Sequence, residues 1–455
     1  LKRIIAVILA CLCCISLTGC DYVQTDIDSM ISPPKMTEQQ ADIYKAMKKS
    51  SLVEDDVVLK YPQNGTNRSA IVMQDIDTEI SEEAMVFYKN VSKTTSSDMG
   101  LKICLLDQID GNWKAKWTVP LSGTSIDQVS FLKEPDTNQK FVIVGTSDEK
   151  KTQKQYQVFS YTQQGFYEVY TNSYQVLEVY DLNQDGRDEI ITVVQSGDLQ
   201  DSKATVKEKT QIETMAVVTE YLGGQFHQTY QTPMNQIVAD YIKITKNEDS
   251  FGRPALFLDE LIGSSTYATE ILTFSDGQLV NLTYGSDIFS QTVRTQVPSC
   301  YDINRDGKIE IPNTSFMPGY NEESENPVYL TKWYQLENGV FQLVSNTYIN
   351  YAQGFGIILP QTWEQTVSAN SVVEKDEIDF YIYQDNTEQQ EKIFTLKMDT
   401  SANIRSTGMP TGYFEIMTMG QIVFLAKLYQ TSDPQYNLTE QQLKENFIDL
   451  HLMGE

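Results

Sequence analysis

Asp181, Asn183 and Asp185 stand at alternate positions, Gly186 and Glu189 follow, and the segment then runs into Ile190, Ile191, Thr192, Val193 and Val194. Branching at Cβ stiffens χ1 and favours extended backbone, so this oxygen-rich loop has to feed a strand. An EF-hand would place Glu at the twelfth loop position and continue as a helix, but the twelfth position here is Thr192. Alternating carboxylates can still converge on one hard cation. Ca²⁺ takes about six to eight oxygens at about 2.3–2.6 Å, and Gly186 permits the sharp turn. The candidate ligands are the side chains of Asp181, Asn183, Asp185 and Glu189 and the carbonyl of Arg187. The metal-free alternative is an Asx-turn, in which the same side chains bond nearby backbone amides.

The pattern returns along the chain. Asp302, Asn304, Asp306, Gly307, Lys308 (through its carbonyl) and Glu310 repeat it, with Asn313 at the twelfth position. An earlier copy keeps Asp75, Asp77, Glu79 and Glu83 but has Ile80 where Gly should stand. A β-branched residue is costly in the left-handed region, so a relaxed loop without metal is expected there. Two further copies, near Leu132 and Ile242, lack the acidic pattern apart from Asp136.

A second periodicity has the same beat. Asp110-Gly111, Gln164-Gly165, Gly223-Gly224, Asp276-Gly277 and Asn338-Gly339 interrupt alternating, aromatic-rich runs and read as hairpin turns. They recur at roughly 50 to 60 residues, the spacing of blade-like repeats. An apolar or aromatic residue follows each by two positions, at Trp113, Tyr167, Phe226, Leu279 and Phe341. Each hairpin is therefore expected to plant one side chain between neighbouring units.

Loop-then-strand with D-x-N-x-D-G-x-x-E resembles the FG-GAP or VCBS-type repeats of calcium-binding β-propellers, which usually carry Asp where this chain has Glu189. The resemblance implies four-stranded blades, structural Ca²⁺, and a role in extracellular binding or adhesion. The expected fold is mainly β: about five blades of a β-propeller over residues 69–350, followed by a small α+β domain over residues 351–455. Two unrelated β-sandwiches are the rival architecture.

The N-terminus supplies an address. Lys2 and Arg3 precede an apolar run from Ile4 to Leu17, and Leu17-Thr18-Gly19-Cys20 closes it. This resembles a bacterial lipoprotein signal, with residues 1–19 removed and Cys20 lipidated. The run falls short of the ~20 residues that span a bilayer. Residues 20–36, with Pro33-Pro34, read as a tether, and Thr37-Glu38-Gln39-Gln40 as a capping box opening a short helix in residues 37–68. Export also fits the cysteines, since only Cys104 and Cys300 remain as thiols once the signal has gone and Cys20 is acylated. They lie in the first and last repeats, so ring closure could bridge them, although two buried free thiols are the plainer expectation.

The C-terminal stretch changes character. Strands are expected near Ile378–Tyr383, Lys392–Met398, Tyr413–Met417 and Ile422–Leu428. A capping box at Thr439-Glu440-Gln441-Gln442 then starts a helix that buries Leu443, Phe447 and Ile448. The Leu359-Pro360-x-x-Trp363 opening and the end helix resemble PsbP-like domains appended to bacterial lipoproteins.

Composition limits function. A net charge of −27 leaves no basic patch for nucleic acid. His227 and His451 fall in different units, so neither a histidine triad nor a multi-histidine zinc site is apparent. Trp113 and Trp117 share a strand at even spacing and would point the same way, as a sugar-stacking pair does, unless they pack in the core. The expectation is a lipid-anchored, extracytoplasmic binding or adhesion module with structural calcium, tied to the membrane through Cys20 and facing a protein or glycan partner. An envelope glycan or peptidoglycan hydrolase working through acidic residues is the alternative.

Overall fold

The computed structural model describes residues 36–450 except 55, 80, 92–99, 151–152, 196–212, 236–237, 286, 296–298, 373–375 and 386–389. The expected signal segment and Cys20 lie outside the described residues. Strands make up 55% of the chain and helices 10%, so antiparallel sheets carry the cores. No described helix is long and apolar enough to cross a membrane.

Helix α1 (Glu38–Lys49) opens on the expected capping box: Gln40 N–H donates to Thr37 Oγ1 and Thr37 N–H to Gln40 Oε1. The first sheet holds β1 (Val57–Leu59), β2 (Ile71–Gln74), β3 (Glu83–Asn90), β4 (Leu101–Ile109) and β5 (Asn112–Pro120), with β1 and β2 both on β3. Three four-stranded meanders follow. The second is β6 (Ser125–Lys133), β7 (Lys140–Ser147), β8 (Lys154–Thr162) and β9 (Gly165–Tyr174). The third is β10 (Val176–Tyr180), β11 (Glu189–Gln195), β12 (Thr214–Leu222) and β13 (Gln225–Met234). The fourth is β14 (Val238–Glu248), β15 (Pro254–Ile262), β16 (Thr266–Ser275) and β17 (Gln278–Asn281).

The fifth sheet begins with a single bridge, Tyr301 to Glu310, and continues through β18 (Ile311–Phe316), β19 (Tyr329–Glu337) and β20 (Val340–Asn350). It does not stop at residue 350. β21 (Phe355–Leu359) pairs with β20, and β27 (Phe447–Asp449) pairs with β21, so one ladder runs from the last repeat into the C-terminal region. The sixth sheet has the order β22 (Val367–Val372), β23 (Glu377–Ile382), β24 (Glu391–Thr400), β26 (Ile422–Leu428), β25 (Phe414–Met419). Phe447 and Ile448 thus belong to a strand; the end helix, Glu440–Glu445, stops at Asn446 and keeps only Leu443 of the three on its buried side.

Four of the five hairpins have a positive φ at both turn residues, as at Asp110 (53°) and Gly111 (75°). That backbone matches strand twist and selects Asp-Gly, Asn-Gly or Gly-Gly. The second hairpin differs. Its turn is Gln163-Gln164, one residue earlier than expected, and Gly165 already pairs with Thr162. The side-chain phase therefore shifts by one: Phe166 is buried between sheets while Tyr167 is exposed. Phe226, Leu279 and Phe341 join cores between neighbouring sheets as expected, whereas Trp113 joins the core between the first sheet and α1.

Each of the first five sheets buries both faces. Residues of the first and second sheets share one core, second and third another, third and fourth another, fourth and fifth another. The end faces have different partners. Ile43 and Met47 of α1 pack on Val86, Tyr88 and Cys104 of the first sheet, and the sixth sheet covers the outer face of the fifth. Among the described residues no core joins first sheet to fifth. Cys104 and Cys300 are accordingly buried free thiols in separate cores.

A bulge separates the two tryptophans. In the pairing of β4 with β5, Leu105 faces Trp117 and Leu106 faces Ala115, which leaves Lys116 without a partner and reverses the alternation. Trp113 packs towards α1, whereas Val119, in step with Trp117, packs towards the second sheet. The paired sugar platform is not formed.

Close approach fixes Gly145 in β7. A Cβ there would lie 2.2 Å from Tyr174 Oη, whose hydroxyl is held by Asp127 at 2.6 Å. Gly145→Ala should cost about 1–3 kcal/mol of stability by overpacking, read as a lower denaturation midpoint with an unchanged slope.

Candidate metal centre

Three loops join the first and second strands of their repeats, and in each the same three carboxylates converge. Asp75, Asp77 and Glu83 form one group, Asp181, Asp185 and Glu189 the second, and Asp302, Asp306 and Glu310 the third, each with oxygens within 4.8 Å of one another. The first group forms although Ile80 stands in place of glycine; Ile80 itself lies outside the described residues.

The glutamate closes each loop from behind. It is the first residue of β3 or β11, or directly precedes β18, and its side chain turns back into the core. Glu83 Oε2 accepts the Ile76 N–H at 2.9 Å, Glu189 Oε2 that of Leu182 at 3.0 Å, and Glu310 Oε2 that of Ile303 at 2.8 Å. All three glutamates are at most 1% exposed. Burial pushes the Glu83 and Glu189 carboxyls up to about 8 and that of Glu310 to about 7, with the neighbouring aspartates adding to each shift.

The front of the loop is held by Asx-type bonds. Asp185 N–H donates to Asp181 Oδ1 (3.1 Å) and Asn183 Oδ1 (2.9 Å), Gly186 N–H to Asp181 Oδ2 (3.0 Å), and Arg187 N–H to Asp185 Oδ1 (2.9 Å). The fifth repeat copies this bond for bond: Asp306 N–H to Asp302 and Asn304, Gly307 N–H to Asp302, Lys308 N–H to Asp306. Gly186 and Gly307 have φ of 86° and 88°, the conformation that requires glycine. Arg187 and Lys308 enter this geometry through their backbone.

The bonds leave oxygens over. Glu83 Oε1, Asp75 Oδ1 and Glu189 Oε1 are buried without a partner, while Glu310 Oε1 and Asp306 Oδ2 share the amide of Gln335. Buried carboxylate oxygens with no donor, beside two more carboxylates, fit a hard divalent cation, which would supply charge and coordination together. Asx-turn and cation loop are not rivals here, because the turn bonds use some lone pairs and leave others facing the cluster.

The two remaining loops diverge. The second, after β6, carries Glu134 and Asp136. The fourth lies at Asp249–Arg253 rather than near Ile242, because β14 runs through two bulges to Glu248. There Asp249 Oδ1 accepts the N–H groups of Phe251 and Arg253, and Arg253 closes an ion pair with Oδ2 at 2.6 Å.

Sequence reasoning missed a second acidic feature. Glu260 and Glu270 sit on one face of adjacent strands β15 and β16, both fully buried. Asn235 N–H, Asn235 Nδ2 and Asn281 Nδ2 all donate to Glu270 Oε1, whereas both Glu260 oxygens lack a donor. Burial first, then the Glu270 charge, drives the Glu260 carboxyl far above its ordinary range, and burial raises the Glu270 carboxyl as well, with its amide donors acting against that rise. Two acids amid many gave no periodic signal. His227 is exposed on β13 opposite Glu220.

No protein-family model and no curated protein matches the sequence. Solved structures similar to it include a Bacteroides uniformis protein provisionally assigned as a 6-phosphogluconolactonase (12% identity, TM-score 0.31, 74% of this chain and 94% of that one). Rhamnogalacturonan lyase PL11 of Bacillus licheniformis (10%, 0.30, 74% and 76%) and rhamnogalacturonan lyase YesW (14%, 0.31, 73% and 76%) are similar to the same degree. Likeness at this level settles neither fold nor activity.

The Glu260 proton gives a pH test. Glu260 ionises near 4.5 when unfolded and much higher when folded, so above that pH the folded state binds more protons and stability falls as pH rises. Glu260→Gln removes the penalty: thermal melts from pH 5 to 9 should show a shallower decline than wild type, with the largest gain in Tm at pH 9.

Proposed function

We propose that the protein is a lipid-anchored, extracytoplasmic binding or adhesion module built from five propeller-type blades with structural calcium in three of their loops. The observation that carries this reading is the threefold recurrence of one cluster: two loop carboxylates facing a buried glutamate that bonds the amide after the first aspartate. A catalytic cluster would be single and open to substrate. Recurrence at one position per repeat is how a scaffold stiffens itself.

In this reading the five sheets form an array whose end faces are covered by α1 and the sixth sheet instead of by each other. The anchor is Cys20 and the partner an extracellular protein or glycan. The alternative, an envelope hydrolase, would need a pair of carboxyls separated across an open cleft. Glu260 and Glu270 form a close acid pair, and they are fully buried and line none of the clefts outlined among the described residues.

Calcium that binds only the folded state stabilises by linkage, about 2.7 kcal/mol at a hundred times Kd. Tm should rise between EDTA and millimolar Ca²⁺, and the rise should shrink by more than half in an Asp181→Ala, Asp302→Ala double variant. Identical melting curves with and without Ca²⁺ would remove metal from the proposal. Cys20→Ser should move the protein from the membrane fraction to the soluble one.

A further inference from the structure

Three open clefts on the surface differ in charge. One beside α1 presents Lys45, Lys49 and Lys114 with Asp42, and another collects Glu134, Asp136 and Asp188 with Lys133 and Arg187. A third, of about 640 Å³, lies between the second and third sheets and, among the described residues, is lined by no carboxylate, although the chain carries 62 acidic residues. Gln153, Gln155, Asn172, Ser173, Gln175 and Gln195 line it together with Lys154 and Thr171. Its volume is that of ligand pockets, about 300–1,000 Å³.

The floor is fixed in advance. Buried Asp127 accepts the Tyr174 hydroxyl at 2.6 Å and Asn64 Nδ2 at 2.7 Å, and Lys154 Nζ lies 3.3 Å away. The lysine charge is thereby neutralised inside the floor. Gln128 Nε2 ties the second sheet to the third by donating to the Leu177 carbonyl at 2.6 Å. The cleft also contains an unmet donor: Asn172 is 8% exposed, its Oδ1 accepts the Ser173 N–H at 2.9 Å, and its Nδ2 has no acceptor. Burying an amide donor without a partner costs about 1–3 kcal/mol, which a ligand oxygen would recover.

We propose that this amide-lined cleft is a binding site for a neutral oligosaccharide, with Asn172 Nδ2 donating to a sugar oxygen. Each amide offers an acceptor and two donors, the pairing that a hydroxyl, itself donor and acceptor, can satisfy. An acidic glycan would meet no free positive charge, since Lys154 is held by Asp127. An extended peptide would require apolar side-chain pockets or a free strand edge, and the apolar lining consists of Val194 and the ring of Tyr174, both buried. The acidic loop of the third repeat is at the opposite end of β10 and β11, so bound sugar and the proposed ion do not compete for ligands.

The proposal rests on the binding-module reading and names its ligand class. Calorimetric titration of the full chain with cellohexaose, maltohexaose, chitohexaose and mannohexaose should show binding of at least one. A Gln155→Ala, Gln175→Ala, Gln195→Ala variant changes only exposed side chains and should weaken that binding at least tenfold with Tm unchanged. Absence of binding to all four sugars, wild-type affinity in the triple variant, or binding of an extended peptide library with the same triple-variant sensitivity would each overturn it. Retention of the wild type on isolated cell envelopes without hexaose binding would remove the cleft and leave the binding module standing. Failure of both would remove both.

Discussion

A buried carboxylate that reaches back to a backbone amide is the interaction on which each acidic repeat turns. Glu83, Glu189 and Glu310 close a loop that leaves one strand and enters the next, and they do so from inside the core. One oxygen meets the amide. The other, with two aspartates beside it, creates a concentration of negative charge that burial makes costly. Protonation can relieve that cost, which is why these carboxyls are pushed towards neutrality. A divalent cation would relieve it more completely and would tie the strand connection down.

The packing has a constraint of its own. A sheet with two apolar faces cannot stand alone, so every repeat needs a neighbour on each side. Internal sheets meet the need with one another. The terminal ones recruit the amphipathic helix α1 and the sixth sheet, and the ladder through β20, β21 and β27 makes that second junction a hydrogen-bonded one as well. Such caps occupy the two faces that a closed ring would have pressed together.

How much of this could be read from sequence varied with the range of the cause. Type I′ turns are dictated by two residues, and Asp-Gly, Gly-Gly and Asn-Gly identified them; Gln164-Gly165 misled because its glycine has entered the strand. The acidic loops were legible for the same local reason. The bulge at Lys116, which turns Trp117 away from Trp113, depends on pairing with β4 and leaves no mark on β5 alone. Whether first and fifth sheets meet is settled by what α1 and the sixth sheet cover, which no repeat encodes. The Glu260 and Glu270 pair was invisible because an acid in a strand normally signals a solvent face, and only the third sheet's position makes that face interior.

The fourth repeat shows what the loop position requires when the acidic pattern is lost. A single buried aspartate, Asp249, keeps the job of organising the turn through the amides of Phe251 and Arg253. The positive charge it needs is supplied by Arg253, four residues on, with Nε at 2.7 Å and the ion pair at 2.6 Å. A guanidinium carries one charge and therefore suits one carboxylate; three converging carboxylates exceed what one side chain can neutralise. The second repeat has Glu134 and the exposed Asp136, the latter approached at 3.7 Å by Arg187 from the next loop, an arrangement that contributes little at the surface. The fourth loop, with its one buried acid, is thus closed by the chain's own cation, whereas the first and third repeats keep buried carboxylate oxygens without a donor and the fifth meets its own only with the neutral amide of Gln335. That division, internal to one molecule, is the strongest physical reason to place an ion in the acidic three.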